Sequence, residues 1–300
     1  MRITFVLCEG VHDIAFFTKL LKSEGYSTFH KKINEYPDPL NDWLRTTVQK
    51  ISIQELNVSG VYDEINTVLP RQALINDVRD QLIMFYNMNG DSRKKEREKF
   101  ITKLNEWIYE PENEKEFSFN EDLKGRNIQF GLLLTYDADD KGINTRLKDI
   151  KEENKKHFPL IENISTNGEI INNGNSFKLG IYIFAEPGKD TGTLENILLP
   201  LMKEDNEAIF ESADNFLKTY QDKERLKSLV FEKNHSGDII EKRDRANKYY
   251  HIKSLLGVVG QLQYSGASNT VCIEKSDYIT LDKIKKNSNC QDILDLFKKF

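Results

Sequence analysis

Short uninterrupted apolar runs, suited to strands buried on both faces, recur between amphipathic stretches, which predicts an α/β fold with a central, mostly parallel sheet. The first run, Ile3 to Leu7, meets Glu9-Gly10 and then a helical pattern of Ile14, Phe16, Phe17, Leu20 and Leu21 that ends near Gly25. The second, Phe130 to Tyr136, stops at Asp137, Asp139 and Asp140, with Gly142 close behind. The third, Leu179 to Phe184, leads through a polar turn into an apolar block from Leu194 to Met202 that Pro200 interrupts.

The stretch between the first two strands is far longer than a βαβ connection needs, so residues 36–124 are expected to form an inserted helical subdomain. Asp42 to Lys50, Tyr62 to Met88 and Asp91 to Tyr109 carry helical apolar spacing, punctuated by Pro37, Pro39, Pro70 and Asn89-Gly90. The core is then 1–35 with 125–202, and 203–300 forms a mainly helical C-terminal region that completes it. Ser92 to Phe100 reads as a solvated, charge-rich helix face. Lys242, Arg243, Arg245, Lys248, His251 and Lys253 crowd around Tyr249 and Tyr250, a mixture that suits a nucleic-acid strand, while the two tyrosines read first as part of a core or partner-facing helix.

Composition narrows the field. The 300 residues suffice for apolar cores without staples, and three cysteines are too few for a disulfide framework or a cysteine-rich zinc site, so a reducing cytoplasm fits. The opening apolar run is too short for a signal peptide, and no later one reaches membrane length. A net charge of −5 argues against coating DNA by charge alone, yet leaves room for an acidic metal site whose bound cations offset it.

Three segments deliver carboxylates to strand ends, where α/β proteins bind ligands. Glu9 and Asp13 lie four residues apart, so one helical turn points both to the same side. Asp137 and Asp139 are two apart, which in extended chain shares a face. Glu195 opens the helix after the third strand. Such a set suits Mg2+ or Mn2+, which take oxygen ligands and leave positions for water and phosphate. Each acid alone also reads as a cap or a first-turn charge favoured by the helix dipole. A calcium loop at Asp137 fails at Lys141 and Lys148, where oxygen ligands are required. Aspartate-nucleophile phosphatases match Asp137 to Gly142 poorly, and glycosyltransferases would not need the Glu9 block. There is no Walker A loop, nucleophile elbow, dinucleotide fingerprint or zinc-spaced histidine pair, and His12 reads as a helix-surface residue.

The segments LCEGVHD, LTYDADDKG and DTGTLENILLP together resemble the Toprim signature, most closely that of OLD-like nucleases and of small stand-alone Toprim proteins of anti-phage defence. The resemblance covers about half the chain. It implies a Rossmann-like core, metal binding by Glu9, Asp13, Asp137, Asp139 and Glu195, proton transfer by Glu9, and a catalytic lysine that Lys248 or Lys253 would match. It implies a metal-dependent nuclease with a nucleic-acid substrate or, alternatively, a regulatory Toprim subunit activated by an ABC-type ATPase partner. A topoisomerase or primase would need a strand-passage gate or zinc-ribbon cysteines that this chain lacks. The apolar faces of the inserted helices suit a homo-oligomer.

Overall fold

The computed structural model describes residues 1–51, 53–88, 90, 94–108, 128–173 and 177–300. They form two compact units, Met1–Ile197 with Thr280–Phe300, and Leu198–Ile279.

The first unit is built on seven strands in the order β2-β3-β4-β1-β5-β7-β6. These are β1 (Arg2–Cys8), β2 (Ser27–Thr28), β3 (Gln72–Asn76), β4 (Gln81–Asn87), β5 (Gln129–Asp137), β6 (Ile170–Asn172) and β7 (Phe177–Phe184). β4, β1, β5 and β7 are mutually parallel, while β3 and β6 pair antiparallel with them and β2 pairs antiparallel with β3. The four parallel strands are apolar at nearly every position because helices cover both faces. On one face, Ile3, Phe5 and Leu7 of β1 join a core that includes α2 (Leu40–Gln49), α4 (Lys94–Ile108) and α5 (Ile143–Asn154), with α3 (Val58–Val68) packed beside α2 and α4. The Phe5 ring lies 5.8 Å from Trp43 and 6.3 Å from Trp107. On the other face, α1 (Val11–Ser23) packs with α10 (Leu281–Lys286) and α11 (Ser288–Lys299), and Phe17 stands 5.3 Å from Phe297, 5.4 Å from Phe184 and 6.0 Å from Phe85.

The apolar strand runs contain two glycines, Gly131 in β5 and Gly180 in β7, two residues out of register and so on the same face. Phe300 accounts for both. A Cβ at Gly131 would overlap its ring, and one at Gly180 would stand 3.0 Å from its Cζ. The ring therefore lies directly on the backbone of two adjacent strands, and burying it stabilises the unit by about 1.5–3 kcal/mol.

The helical insertion expected over 36–124 needs correction. α2 and α3 are present, but the expected helix from Tyr62 to Met88 ends at Val68 and gives way to β3 and β4, which extend the central sheet. Buried on both faces, Leu82 to Tyr86 are apolar at every position, and such a run satisfies helical spacing as well as strand spacing. The turn between the strands is fixed by Asn76, whose Oδ1 accepts from the Arg79 N–H at 3.0 Å. Residues 109–124 of that expected insertion lie outside the described residues. The Ser92 to Phe100 run is not solvated throughout: Arg97 is buried, pairs with Glu153 at 3.2 Å and donates to the Gly90 carbonyl.

The second unit takes in the end of α6 (Leu194–Lys203), then α7 (Glu207–Tyr220), the hairpin β8 (Lys227–Lys233) and β9 (Ile239–Ala246), α8 (His251–Gly260) and α9 (Asn269–Lys275). Phe210 meets Tyr278 at 5.7 Å, and the Tyr278 hydroxyl donates to the Val259 carbonyl. The C-terminal region is thus helical apart from one hairpin, and its last residues, 280–300, belong to the first unit. No helix among the described residues is long and apolar enough to cross a membrane.

Candidate functional site

β1, β5 and β7 are consecutive parallel strands, so their carboxyl ends share one edge of the sheet. The chain leaves β1 toward β2, β3 and β4 on one side, and β5 lies on the other. Such a switch in direction opens a crevice at the strand ends.

Glu9 follows β1, and its Oε2 accepts from the backbone N–H of Asp137, the last residue of β5, at 3.1 Å. Asp137 Oδ1 in turn accepts from the Leu194 N–H at 2.8 Å, at the first residue of α6. Those two bonds tie the three segments together. Asp13, 5% exposed, caps α1 by accepting from the Gly10 N–H at 2.9 Å. Glu195, 3% exposed, accepts from the Thr193 hydroxyl at 2.9 Å and lies 3.2 Å from His12 Nδ1. Capping and first-turn placement, the bland readings of Asp13 and Glu195, therefore hold alongside their place in the cluster.

Crowding has an electrostatic consequence. Burial, then the negative charges of Asp13 and Glu9, and to a smaller extent Glu195, push the Asp137 carboxyl from 3.8 up to about 9, against the lowering effect of the Leu194 N–H. Burial and Asp13 likewise raise the Cys8 thiol above its ordinary range. Like-charged acids gathered with so little water cannot all ionise unless positive charge joins them.

Asp139 departs from expectation. The two-residue spacing would share a face with Asp137 only in extended chain, but Asp139 has φ 50°, so the alternation ends there. Its backbone pairs with Gly192 in both directions, at 2.8 and 2.9 Å, and its carboxylate binds Arg146 at 2.5 Å. Gly192 is needed at this bridge: its φ is 122°, and a Cβ there would stand 3.0 Å from Glu186 Cβ. Arg146 is buried, donates its Nε to the Asp137 carbonyl at 2.9 Å and lies 5.9 Å from the Tyr136 ring centroid, near which Arg97 also sits at 5.6 Å.

Lys248 and Lys253 lie in the second unit, where their ammonium groups stand 4.6 and 5.3 Å from the Tyr250 ring centroid. Two residues at the acid site carried no sequence expectation of a role there. His12 is three residues after Glu9, on the turn that also presents Asp13, a spacing that could have marked it. Arg146 begins the second turn after Gly142, and no local pattern marks it.

Among the described residues, no three histidine, cysteine, aspartate or glutamate side chains form a ready-made metal-binding group. The chemistry of the donors nonetheless fits a hard divalent cation: carboxylate oxygens from Glu9, Asp13, Asp137 and Glu195, with one carboxyl held protonated by its neighbours.

The sequence matches, over residues 4–237, the family described as a protein of unknown function (DUF3226), and the chain belongs to that family. No curated protein matches it. Among solved structures, it is similar to a hypothetical protein from Pyrococcus horikoshii OT3, with 15% identity, a TM-score of 0.44, and coverage of 100% of this chain and 95% of the other.

Proposed function

We propose that this protein is a magnesium- or manganese-dependent phosphodiesterase of the Toprim type that cuts nucleic acid. One observation carries the reading: Glu9, Asp137 and Glu195, from three distant segments, converge at the carboxyl ends of adjacent parallel strands, with Asp13 beside them. Glu9, Asp137 and Glu195 would hold the cation, with Asp13 beside them. When bound, a divalent ion would supply Lewis acidity toward the phosphate and lower the pKa of water. The water oxygen attacks phosphorus, the bond from phosphorus to the leaving oxygen breaks, Glu9 accepts the proton of the attacking water, and the leaving oxygen is protonated from solvent. His12, at 3.2 Å, orients the Glu195 carboxylate.

Plasmid, linear duplex, single strand and transfer RNA incubated with the pure protein under magnesium, manganese or chelator test the proposal on a gel. The parent cuts with metal and not with chelator, and Glu9→Gln, with an unchanged fold, loses the activity. Undiminished cleavage by that variant removes Glu9 from the mechanism.

A second reading, a regulatory Toprim subunit activated by an ABC-type ATPase, is favoured by the Arg146–Asp139 ion pair, which occupies a carboxylate the Toprim signature assigns to metal. Under it the chain is inert alone and co-purifies from native extract with a stoichiometric ATPase.

A further inference from the structure

We infer that the hairpin of the second unit, with the aromatic residues that flank it in sequence, is a binding surface for single-stranded nucleic acid. The inference rests on the proposed activity for its substrate class and on different residues for its evidence.

Charge is the first observation. From Lys223 to Lys253, nine lysines and arginines stand against five acids, a local excess of four positive charges in a chain whose net charge is −5. Arg243 and Arg245 form no ion pair with another described residue, and both are exposed. A cationic strip in an acidic protein offers phosphates a place to release counterions.

The second observation is unburied apolar surface of a stackable kind. β9 is exposed at every residue, and β8 at all but two. A two-stranded ribbon is marginal by itself, and most ribbons bury one face. The register places Leu229 opposite Arg243, Phe231 opposite Glu241 and Lys233 opposite Ile239, so these six side chains share one face. On that face Phe231 is 65% and Ile239 61% exposed. Tyr250, 46% exposed, carries Lys248 and Lys253 at its ring. Within the same unit, Phe216, Tyr220, Tyr249 and Arg225 line a hollow of about 200 Å³.

Cations interleaved with open aromatic rings are what an unpaired strand requires: phosphates meet the charges, and bases, whose faces are hidden in a duplex, stack on the rings. A duplex would use the cations and leave Phe231 idle. A protein partner would bury the apolar face but have no need of unpaired arginines. The preference is therefore for single strand, DNA or RNA.

Fluorescence anisotropy tests this with the full chain in chelator, so that nothing is cut. Labelled oligonucleotides are offered as single-stranded DNA, single-stranded RNA and DNA duplex. Single strands bind at least tenfold tighter than duplex, with affinity falling as salt rises. Arg243→Ala/Arg245→Ala flattens the log–log salt dependence on single strands by about 1.4, at about 0.7 per phosphate contact. Phe231→Ala weakens single-strand binding about tenfold, the scale of one lost stacking contact, and leaves duplex binding unchanged. All three substitutions are at exposed positions, and circular dichroism checks the fold. Equal binding of single strand and duplex, or an unchanged salt slope in the double variant, overturns the inference. A parent that binds strands but never cuts them defeats only the catalytic proposal. A parent that cuts them while the three substitutions leave binding untouched defeats only this one.

Discussion

Substituting Asp137 by Asn tests the electrostatic account without testing catalysis. The amide keeps an oxygen to accept from the Leu194 N–H but cannot ionise. In the parent the carboxyl has a folded-state pKa of about 9 against 3.8 in the open chain. A group raised on folding contributes its full stability below the unfolded value and loses it as pH climbs through the folded one, so the metal-free parent weakens between about pH 4 and pH 9. At pH 8 the gap corresponds to about 6 kcal/mol at 1.36 kcal/mol per unit if the site kept its shape. Water entry and relaxation reduce such penalties, so we expect Asp137→Asn to be stabilised by about 2 kcal/mol at pH 8 and by almost nothing at pH 4. Urea unfolding in chelator at pH 4, 6 and 8 measures the difference. A variant that is less stable than the parent at pH 8, or one whose advantage does not grow with pH, refutes the argument.

Divalent cations should do for the parent what the amide does for the variant. Manganese at about a hundredfold above its Kd adds about 2.7 kcal/mol, a rise of about 5–10 °C in Tm, and Glu195→Gln reduces the shift while controls in chelator stay level. A rise that persists undiminished in Glu9→Gln/Glu195→Gln places the cation elsewhere. Phe300→Ala costs about 3–5 kcal/mol, measured by urea unfolding. Gly131→Ala costs less in that background than in the parent, because the ring it would strike is gone, and additive losses would disprove the contact. Burial raises the Cys8 thiol and pushes that of Cys290 up to about 12, and Cys272 is also buried, so maleimide labels the native protein at a small fraction of the rate seen in urea.

The parallel strands β1, β5 and β7 were legible because each apolar run ends abruptly at a turn, and the acids were legible because they stand at those ends. β3 and β4 were not: a strand buried on both faces has no alternation to read, and a long connection filled with apolar residues looks helical. The fate of Asp139 was hidden for another reason. It depends on a left-handed backbone residue and on a bridge to Gly192, neither of which leaves a mark near the Asp-x-Asp pair. His12 sat in plain view but needed Glu195, from a segment far along the chain, to give it a neighbour. No local pattern could have announced the seat of Phe300, whose partners are two glycines more than a hundred residues earlier.

That seat bears on how the chain assembles. The sheet can pair its strands once β7 has been made, yet α10 and α11, which complete the cover that α1 begins on its second face, and the ring that fills the gap over Gly131 and Gly180, arrive only after the whole of Leu198–Ile279 has been synthesised. During translation the half-built sheet waits with one side covered only by α1 while an intervening unit takes shape. Closure is a late, long-range event, and it is at that stage that a growing chain of this kind is open to chaperones and to mispairing with its neighbours.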